Sequence, residues 1–368
     1  FPTKNMNVLA ITESPDRPTV ETFIGLHKKN INISVICRSN CEHKTILDQH
    51  QIKNFEIVFR RKIDYEAIKK LRNYLIDHKV DIVHVFSNNT LTNTIFSLIG
   101  LKNIKLIAYR GIVGNVSYFD PISWIRFLNP RINKIICVCD AIKNYFLSMR
   151  PKFLRMNSNK PIRVYKGHNV DWYNEVADLN QYSIPTNSFV VGCVANSRPR
   201  KGVDYLIRAI DLVPENIPIV LLLIGRMRGR KIKKAIKQSI RKNSIFSPGF
   251  CENAPAISAA CDLVCLPSYK REGLPRSIIE AMSAAVPPIV TNSGGSPELV
   301  EDNISGIVVP VRDSQSIADA IKKLYFDESL RKSMGQKARE RIKLKFNNEI
   351  TVNETLKVYQ DLHADQTK

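Results

Sequence analysis

Short apolar runs rich in β-branched residues alternate with helix-like segments along most of the chain. Seven such runs lie in the first half of the sequence, at 7–12, 32–37, 55–59, 81–86, 104–109, 134–139 and 162–166. Segments with a helical spacing of apolar residues separate many of them; in 65–78, for example, Ile68, Leu71 and Leu75 fall on one stripe. Because repeated strand–helix–strand units need crossover connections, this pattern predicts a parallel sheet with helices on its faces.

The same alternation restarts in the second half, with apolar runs at 189–195, 217–225, 244–249, 262–267, 286–291 and 306–310. The stretch 171–188 has little apolar periodicity and is the best candidate for a linker. We therefore predict the α/β class, with two doubly wound Rossmann-like domains at 1–175 and 180–346. The last helix, within 347–368, is long enough to pack back on the first domain. Ligands of such sheets bind at the carboxyl ends of the strands, so we expect the site in a cleft where the domains face each other.

The chain is strongly basic. It has 55 Lys and Arg against 34 Asp and Glu, a formal net charge of +21. Residues 1–180 hold 27 basic and 15 acidic side chains, and the rest hold 28 and 19, so the two parts carry +12 and +9. A field of this sign attracts nucleic acid, an anionic membrane surface or phosphorylated small molecules. Charge alone does not choose among them.

The cysteine pattern and the hydropathy favour a reduced, cytoplasmic protein. The pairs Cys137/Cys139 and Cys261/Cys265 lie in apolar runs and lack the spacing of a zinc site. The N-terminal segment lacks the basic and long apolar stretches of a signal peptide, and no apolar run reaches about 18 residues. We expect free thiols and no membrane span.

The densest motif is the segment 268–300, which begins SYKREGLPRSIIEAM. Its Gly-Leu-Pro sequence marks a turn into a helix over 276–284, and the start of that helix would offer backbone N–H groups to an anion such as a diphosphate. Glu272 could reach a hydroxyl group beside the anion, and Glu280 could bind a diol such as a ribose. Each glutamate alone is more typical of a helix-stabilising or solvated residue, but the pair flanking Gly-Leu-Pro favours a binding site.

A second motif, ANSRPRKGVDYLIRAI at 195–210, joins a strand to a helix through a basic loop. Arg198, Arg200 and Lys201 cluster where a phosphate would lie, and Gly202 lets the backbone turn close to a ligand. The alternative is a solvated loop in a lysine-rich chain. A third motif, GGSPE at 294–298, permits close approach of a substrate, although capping of the next helix by its serine explains most of it.

The first domain offers weaker candidates. Arg17 follows the first strand and either reaches the cleft or pairs with Asp16. His84 lies on a strand, where a lone histidine is more often a satisfied core residue than a catalyst. Arg110 and Gly111 end another strand at the same carboxyl edge. The stretch SWIRFLNPR, 123–131, either packs on its own domain or forms an amphipathic turn that faces a membrane.

The sequence contains no HExxH, no Walker lysine loop and no GxSxG. It also has no Asp-x-Asp pair at a strand end to hold a divalent metal on a diphosphate. We therefore expect no metal and no cofactor, with charge neutralised by Arg, Lys and the helix dipole.

The segment 245–310 resembles the signature of the retaining glycosyltransferases of family 4, which have the two-domain GT-B fold. The match runs from FSPGFCENAP through DLVCLPSYKREGLPRSIIEAM to GGSPELVEDNISGIVVPV, and RPRKGVDYLIRA resembles the phosphate-binding loop of that family. The resemblance is dense in the second domain and limited to the order of elements in the first. It implies a hexosyltransferase-type enzyme that moves a sugar from a nucleotide-diphosphate donor to an acceptor hydroxyl, with the anomeric configuration retained.

By position, the resemblance implies that Glu272 contacts donor-sugar hydroxyls and that Glu280 binds the ribose. Lys201, with Arg198 or Asn196, would hold the diphosphate. Further donor-binding candidates on these loops are Gly225, Gly273, Leu274, Pro275 and Ser277. The implied catalytic set is Glu272, Lys201 and Arg110, and the acceptor-side candidates are Arg17, His84 and Gly111.

Three positions depart from the family pattern. Asn196 stands where an arginine usually precedes the loop lysine, and Arg198 lies three residues before that lysine. The first-domain loop, 14–17, lacks the usual two glycines. Arg110 stands where a histidine is common, so Arg110 would have to substitute for it by charge.

These features favour a glycosyltransferase of bacterial lipopolysaccharide or envelope polysaccharide assembly, with a glycan or lipid-linked acceptor. Contact of the basic first domain with an anionic inner membrane is a further hypothesis. The alternative is a nucleotide-sugar 2-epimerase on the same fold. A nucleic-acid-binding protein ranks lower, because the lysines spread over helices such as 230–242 instead of alternating with exposed aromatic residues on one face.

Overall fold

A computed structural model describes residues 6–364 of the chain. The chain divides into two compact units. The first unit ends at Gly167 and resumes at Asn348, and the second unit is His168–Asn347. The division therefore falls before the predicted 175–180, and the predicted linker carries two short 3₁₀ helices, Val170–Tyr173 and Leu179–Tyr182.

The first unit contains a seven-stranded sheet in the order β3-β2-β1-β4-β5-β6-β7, and all its pairs are parallel. Its strands are β1 Asn7–Ile11, β2 Asn32–Ile36, β3 Lys53–Phe55, β4 Ile82–Val85, β5 Lys105–Arg110, β6 Lys134–Cys137 and β7 Pro161–Arg163. The prediction of a strand at 55–59 was wrong, because β3 stops at Phe55, where its pairing with Ile36 of β2 ends.

Helices of the first unit follow the strands. They are α1 Arg17–Lys28, α2 Lys44–Gln49, α3 Tyr65–Asp77, α4 Asn88–Ser97, α5 Pro121–Ile125 and α6 Asp140–Leu147. Acceptor side chains start several of them: Asp16 accepts from the Thr19 amide, Asp64 from Ala67 and Ser87 from Thr90. These caps satisfy amides that have no partner inside the helix.

The second unit contains a six-stranded parallel sheet in the order β10-β9-β8-β11-β12-β13. Its strands are β8 Phe189–Val194, β9 Ile219–Ile224, β10 Ile245–Gly249, β11 Leu263–Leu266, β12 Pro288–Thr291 and β13 Ile307–Val309. Its helices are α7 Val203–Asp211, α8 Arg230–Gln238, α9 Ala254–Ala259, α10 Arg276–Ser283, α11 Ser296–Leu299, α12 Ser314–Phe326 and α13 Glu328–Lys345. Apolar side chains of β8, β9, α7 and α12 fill its core.

The last helix, α14 Asn348–Ala364, packs on α1 of the first unit. The two helices approach closely at Gly25, where an added Cβ would lie 2.4 Å from the Val352 side chain. The hydroxyl of Thr351 donates to the Tyr165 carbonyl (2.8 Å) and accepts from the Gly167 amide (2.8 Å). The helix is therefore an integral part of the first unit.

His84 is a core residue of this unit. It lies in β4, is 3% exposed, and its Nδ1 is 2.9 Å from the Tyr359 hydroxyl of α14. A cavity of about 30 Å³, room for one water molecule, is lined by His84 and by Lys166, which pairs with Asp16. The structure thus places this predicted acceptor-side residue inside the sheet rather than at an exposed edge.

Burial lowers the pKa of His84 from 6.5 to about 3. The folded state therefore binds this proton less well than the unfolded state, so the stability contribution is complete above pH 6.5 and is lost as the pH falls toward 3. From this residue alone we expect the free energy of unfolding to be roughly 2 kcal/mol lower at pH 5 than at pH 7. Urea unfolding of the wild type and of His84→Gln, at pH 5 and at pH 7, measures this difference in the free energy of unfolding. An equal pH dependence in the two proteins would contradict the assignment.

Candidate active site

Three loops meet at the carboxyl edge of the second sheet. They follow the neighbouring strands β8, β11 and β12 and comprise residues 195–202, 267–275 and 292–295. Because the strands are parallel, their carboxyl ends lie at one edge, and the loops carry the polar residues of all three motifs. The site can therefore be described within the second unit alone.

Lys201 and Glu272 form an ion pair at this edge. The Lys201 Nζ lies 3.0 Å from Oε1 and 2.9 Å from Oε2 of Glu272, and the side chains are 17% and 10% exposed. Gly202 brings the two loops together: it is left-handed (φ +66°), and an added Cβ would lie 2.1 Å from the Pro267 carbonyl oxygen. The pair therefore offers one ligand two kinds of contact: the ammonium can bind an anionic group, and the carboxylate can accept hydrogen bonds.

Positive charge exceeds negative charge around this pair. Burial lowers the pKa of Arg200, and the charges of Arg198 and Arg271 lower it further, whereas Glu272 raises it. These three arginines and Lys201 face one carboxylate, a formal excess of +3. Such a cluster is stabilised by a bound polyanion. Sequence reasoning did not single out Arg271, which lies next to Glu272 with a left-handed backbone (φ +61°).

Asn196 and Arg198 both lie exposed on the loop after β8. The Arg198 amide donates to the Asn196 side-chain oxygen (3.2 Å), so the asparagine shapes the loop. Arg198 also lines a cavity of about 160 Å³ with Pro199, Gly229 and Arg230. The arginine, rather than the asparagine, brings positive charge to this edge.

The start of α10 supplies backbone donors. The amides of Ile278 and Ile279 both donate to the Pro275 carbonyl, so the amides that precede them have no acceptor within the helix. Gly273, Leu274 and Ser277 all belong to this turn. An anion placed there gains both hydrogen bonds and the positive end of the helix dipole.

Glu280 lies one turn further along α10 and is 5% exposed. Its Oε1 is 2.9 Å from the Arg276 Nε, and the Arg276 side chain is largely exposed. The carboxylate is therefore held in place by a side chain that can move into solvent. It is placed to accept hydrogen bonds from hydroxyl groups.

Glycines fix the backbone on which Glu272 sits. Gly294 is left-handed (φ +59°), and an added Cβ would lie 1.9 Å from the Glu272 carbonyl oxygen. The Gly295 amide donates to the Gly273 carbonyl (3.2 Å). Gly225 plays a similar part between β9 and β8, because its added Cβ would lie 2.0 Å from the Ala195 carbonyl oxygen. From the sequence, the glycines at 294–295 were predicted to permit the close approach of a substrate. The contact of Gly294 with the Glu272 backbone was not predicted.

Ser296 behaves differently from its prediction as a helix cap. It is the first residue of α11, and its side chain makes no capping hydrogen bond. Its hydroxyl is buried without a partner in the described part of the chain, as is that of Ser268 on a neighbouring loop.

The first-unit candidates lie apart from these loops in the sequence and differ in environment. Arg17 is exposed at the start of α1, and Gly111 is half-buried after β5. Arg110 is 4% exposed; its guanidinium donates to the carbonyls of Ile112 (3.1 Å) and Gly114 and lies over the Phe127 ring. The predicted catalytic arginine therefore organises the loop that follows it.

Among residues 6–364, no three His, Cys, Asp or Glu side chains gather into a cluster that could hold a metal ion. Of the helices in that range, none combines the length and the apolar character needed to cross a bilayer.

Residues 176–341 match the family model described as glycosyl transferases group 1, and this range contains all three loops. The protein is a glycosyltransferase, and its match to this family lies in the second unit. This glycosyltransferase is 25% identical over 386 aligned residues, 97% of each chain, to a capsular polysaccharide biosynthesis glycosyltransferase, CapM, of Staphylococcus aureus. It is 23% identical, over 97% of this chain and 96% of the other, to an Escherichia coli UDP-Gal:alpha-D-GlcNAc-diphosphoundecaprenol alpha-1,3-galactosyltransferase.

Among solved structures, the glycosyltransferase is similar to Anabaena HepE in complex with UDP and glucose, with a TM-score of 0.78. The identity is 20%, and the match covers 97% of this chain and all of the other. The likeness establishes the fold: two parallel-sheet Rossmann-like units of the GT-B class.

Proposed function

We propose that this glycosyltransferase moves a sugar from a nucleotide-diphosphate donor to an acceptor hydroxyl, with retention of the anomeric configuration. The observation that carries the proposal is the ion pair between half-buried Lys201 and buried Glu272, within a cluster of excess positive charge at the start of α10. A diphosphate needs cations and amides, and a sugar needs a hydrogen-bond acceptor beside them. All are present on adjacent loops.

In this proposal the donor separates the ion pair. The diphosphate binds to Lys201, Arg198 and the backbone amides of Gly273, Leu274 and Ser277. Glu272 then accepts hydrogen bonds from hydroxyl groups of the sugar. The positive groups stabilise the negative charge that grows on the leaving diphosphate as the glycosidic bond breaks. They do so without a metal ion, since four cationic side chains already surround the site. Glu280 accepts from the ribose.

The first unit is proposed to bind the acceptor, a glycan or a lipid-linked saccharide. Arg17 and Gly111 lie at the carboxyl edge of its sheet, and Arg110 holds the loop over 111–114. The relatives from Staphylococcus aureus and Escherichia coli support a role in bacterial envelope polysaccharide or lipopolysaccharide synthesis, since their names describe capsule synthesis and a diphosphoundecaprenol acceptor.

Peripheral contact with an anionic inner membrane, from the cytoplasmic side, is part of this proposal. The first 180 residues carry +12. The surface around α5 exposes Phe119, Ile122, Trp124 and Ile125, whereas Phe127 is buried. Basic charge and exposed aromatic side chains together favour a lipid interface.

A panel of UDP-, GDP-, ADP- and CMP-sugars tests the donor site by thermal shift. We expect one nucleotide series to raise the Tm, because a ligand at 100 times its Kd stabilises the folded state by about 2.7 kcal/mol. The shift should fall in Glu280→Ala, which loses the ribose acceptor. Arg276→Ala is the matched control, since it removes the exposed partner and leaves the carboxylate. No shift with any series, or an equal shift in Glu280→Ala, would contradict the assignment. Conversion of the donor without nucleotide release would indicate an epimerase.

A further inference from the structure

A cationic segment of the second unit borders the proposed donor site, since its Arg230 and Lys231 line the same cavity as Arg198, and it extends beyond that site along α8. Residues 216–251 contain nine Lys and Arg and no Asp or Glu. Arg241 is used internally, because its guanidinium donates to the Val213, Pro214 and Ile217 carbonyls. The remaining eight side chains are all exposed: Arg226, Arg228, Arg230, Lys231, Lys233, Lys234, Lys237 and Lys242. We call these eight residues the α8 basic face.

Helix geometry gathers most of this charge on one side. At 100° per residue, the five cations within α8 fall on an arc of about 160°. The opposite side of the helix carries Ile232, which is buried, and Ala235 and Ile236, which are partly buried. These side chains pack on the core of the second unit. The helix is thus fixed to the unit by its apolar side and presents five cations and the uncharged Gln238 outward.

The exposed cations of this face do not stabilise the folded unit through ion pairs. Among residues 6–364, no carboxylate forms an ion pair with any member of the α8 basic face. Neighbouring cations repel at i,i+3 and i,i+4 spacing, as between Arg230 and Lys233 or Lys233 and Lys237. By contrast, Lys332 and Arg331 of α13 pair with Glu328 and Asp262. The uncompensated face is stabilised by an external anion.

The shape and the surroundings of the face favour a lipid surface as that anion. The cations spread along a helix and the loop before it, which suits a planar field of headgroups. Exposed apolar side chains border it. Phe250, 66% exposed, lies beside Arg226 with the guanidinium 5.8 Å from the ring centre. Ile240, two residues before Lys242 in the sequence, is 72% exposed. A nucleic acid would favour several aromatic residues between the cations, whereas the contacts of the described residues place one aromatic ring, that of Phe250, against a cation of this face.

We propose that the α8 basic face docks the second unit on an anionic phospholipid surface, with Phe250 and Ile240 entering the interfacial region. Juxtaposed Lys and Arg side chains contribute additively to such binding until salt screens them. This surface is distinct from the aromatic surface around α5 of the first unit, and its Lys233, Lys234 and Lys237 do not line the cavity that Arg230 and Lys231 share with Arg198.

Vesicle co-sedimentation of the full chain tests the proposal, with vesicles of phosphatidylcholine alone and of phosphatidylcholine with phosphatidylglycerol. The test variant is Lys233→Ala/Lys234→Ala/Lys237→Ala. The matched control is Lys337→Ala/Lys343→Ala/Lys345→Ala, which removes the same charge from exposed positions of α13 in the same unit. We expect the wild type and the control to bind phosphatidylglycerol vesicles and the test variant to bind them roughly 10- to 100-fold more weakly.

Equal losses in the two variants would overturn the proposal, because net charge alone would then explain binding. Equal binding to neutral and anionic vesicles would also overturn it, as would salt-dependent binding of duplex DNA with no vesicle binding. Donor thermal shifts are measured on the same variants, and we expect them unchanged. If the test variant binds vesicles as well as the control does while the donor shifts stay intact, this inference alone is rejected. If the wild type shows no donor shift, the proposed function alone is rejected.

Discussion

Replacing Gly294 by alanine is expected to destabilise the second unit and to displace Glu272. The new Cβ would lie 1.9 Å from the Glu272 carbonyl oxygen, a backbone atom that cannot rotate away. The left-handed conformation (φ +59°) adds roughly 1–2 kcal/mol for any residue with a Cβ. We expect a total loss of about 3 kcal/mol or more, a fall in Tm of roughly 6–12 °C for a unit of this size. Turnover should also fall, because the carboxylate moves with its backbone.

Gly249→Ala is the control for this substitution. Gly249 is also left-handed (φ +91°), but an added Cβ there meets nothing within 4 Å. The Gly249→Ala variant therefore measures the cost of the left-handed backbone alone, a loss of about 1–2 kcal/mol in the free energy of unfolding. Scanning calorimetry of both variants separates the two effects. Equal Tm values for Gly249→Ala and Gly294→Ala would show that the contact with Glu272 does not constrain the loop.

The periodicity of the sequence was enough to predict the two parallel sheets. Apolar runs of four to six residues can be buried on both faces only in a sheet covered by helices, so β8, β9 and β11 were recognisable from composition. The short strand β3 was misplaced, since its three residues are exposed or half-buried and have no such pattern. Short helices such as α5 were missed for the same reason.

The sequence could predict which loops carry the site but not how their side chains pair. Lys201 and Glu272 are 71 residues apart, and only the adjacency of β8 and β11 brings them together. The same limit applies to Gly294, whose role depends on a backbone contact with Glu272, a residue of another loop. His84 and Arg110 are both buried. A position on a predicted strand does not by itself show which side chains lie in the core.

Lys201→Met carries the largest expected effect on activity. The substitution keeps the length of the side chain and removes its charge, which leaves the Glu272 carboxylate without the cation that it contacts at 2.9 Å. A hydrogen bond between charged groups contributes about 1.5–3 kcal/mol, so we expect donor affinity to fall roughly 10- to 100-fold. Loss of one group that stabilises the leaving charge should lower turnover by a further factor of about 10²–10³. Lys337→Met, at an exposed position of α13, is the matched control.

Calorimetric titration of the nucleoside diphosphate in EDTA tests the central claim most directly. The claim is that side chains and backbone amides of the second unit, without a metal ion, hold the diphosphate of the donor. We predict binding by the wild type and Lys337→Met in EDTA, and binding at least tenfold weaker by Lys201→Met. Binding that appears only after addition of Mg²⁺, or equal affinity in Lys201→Met and the wild type, would contradict it.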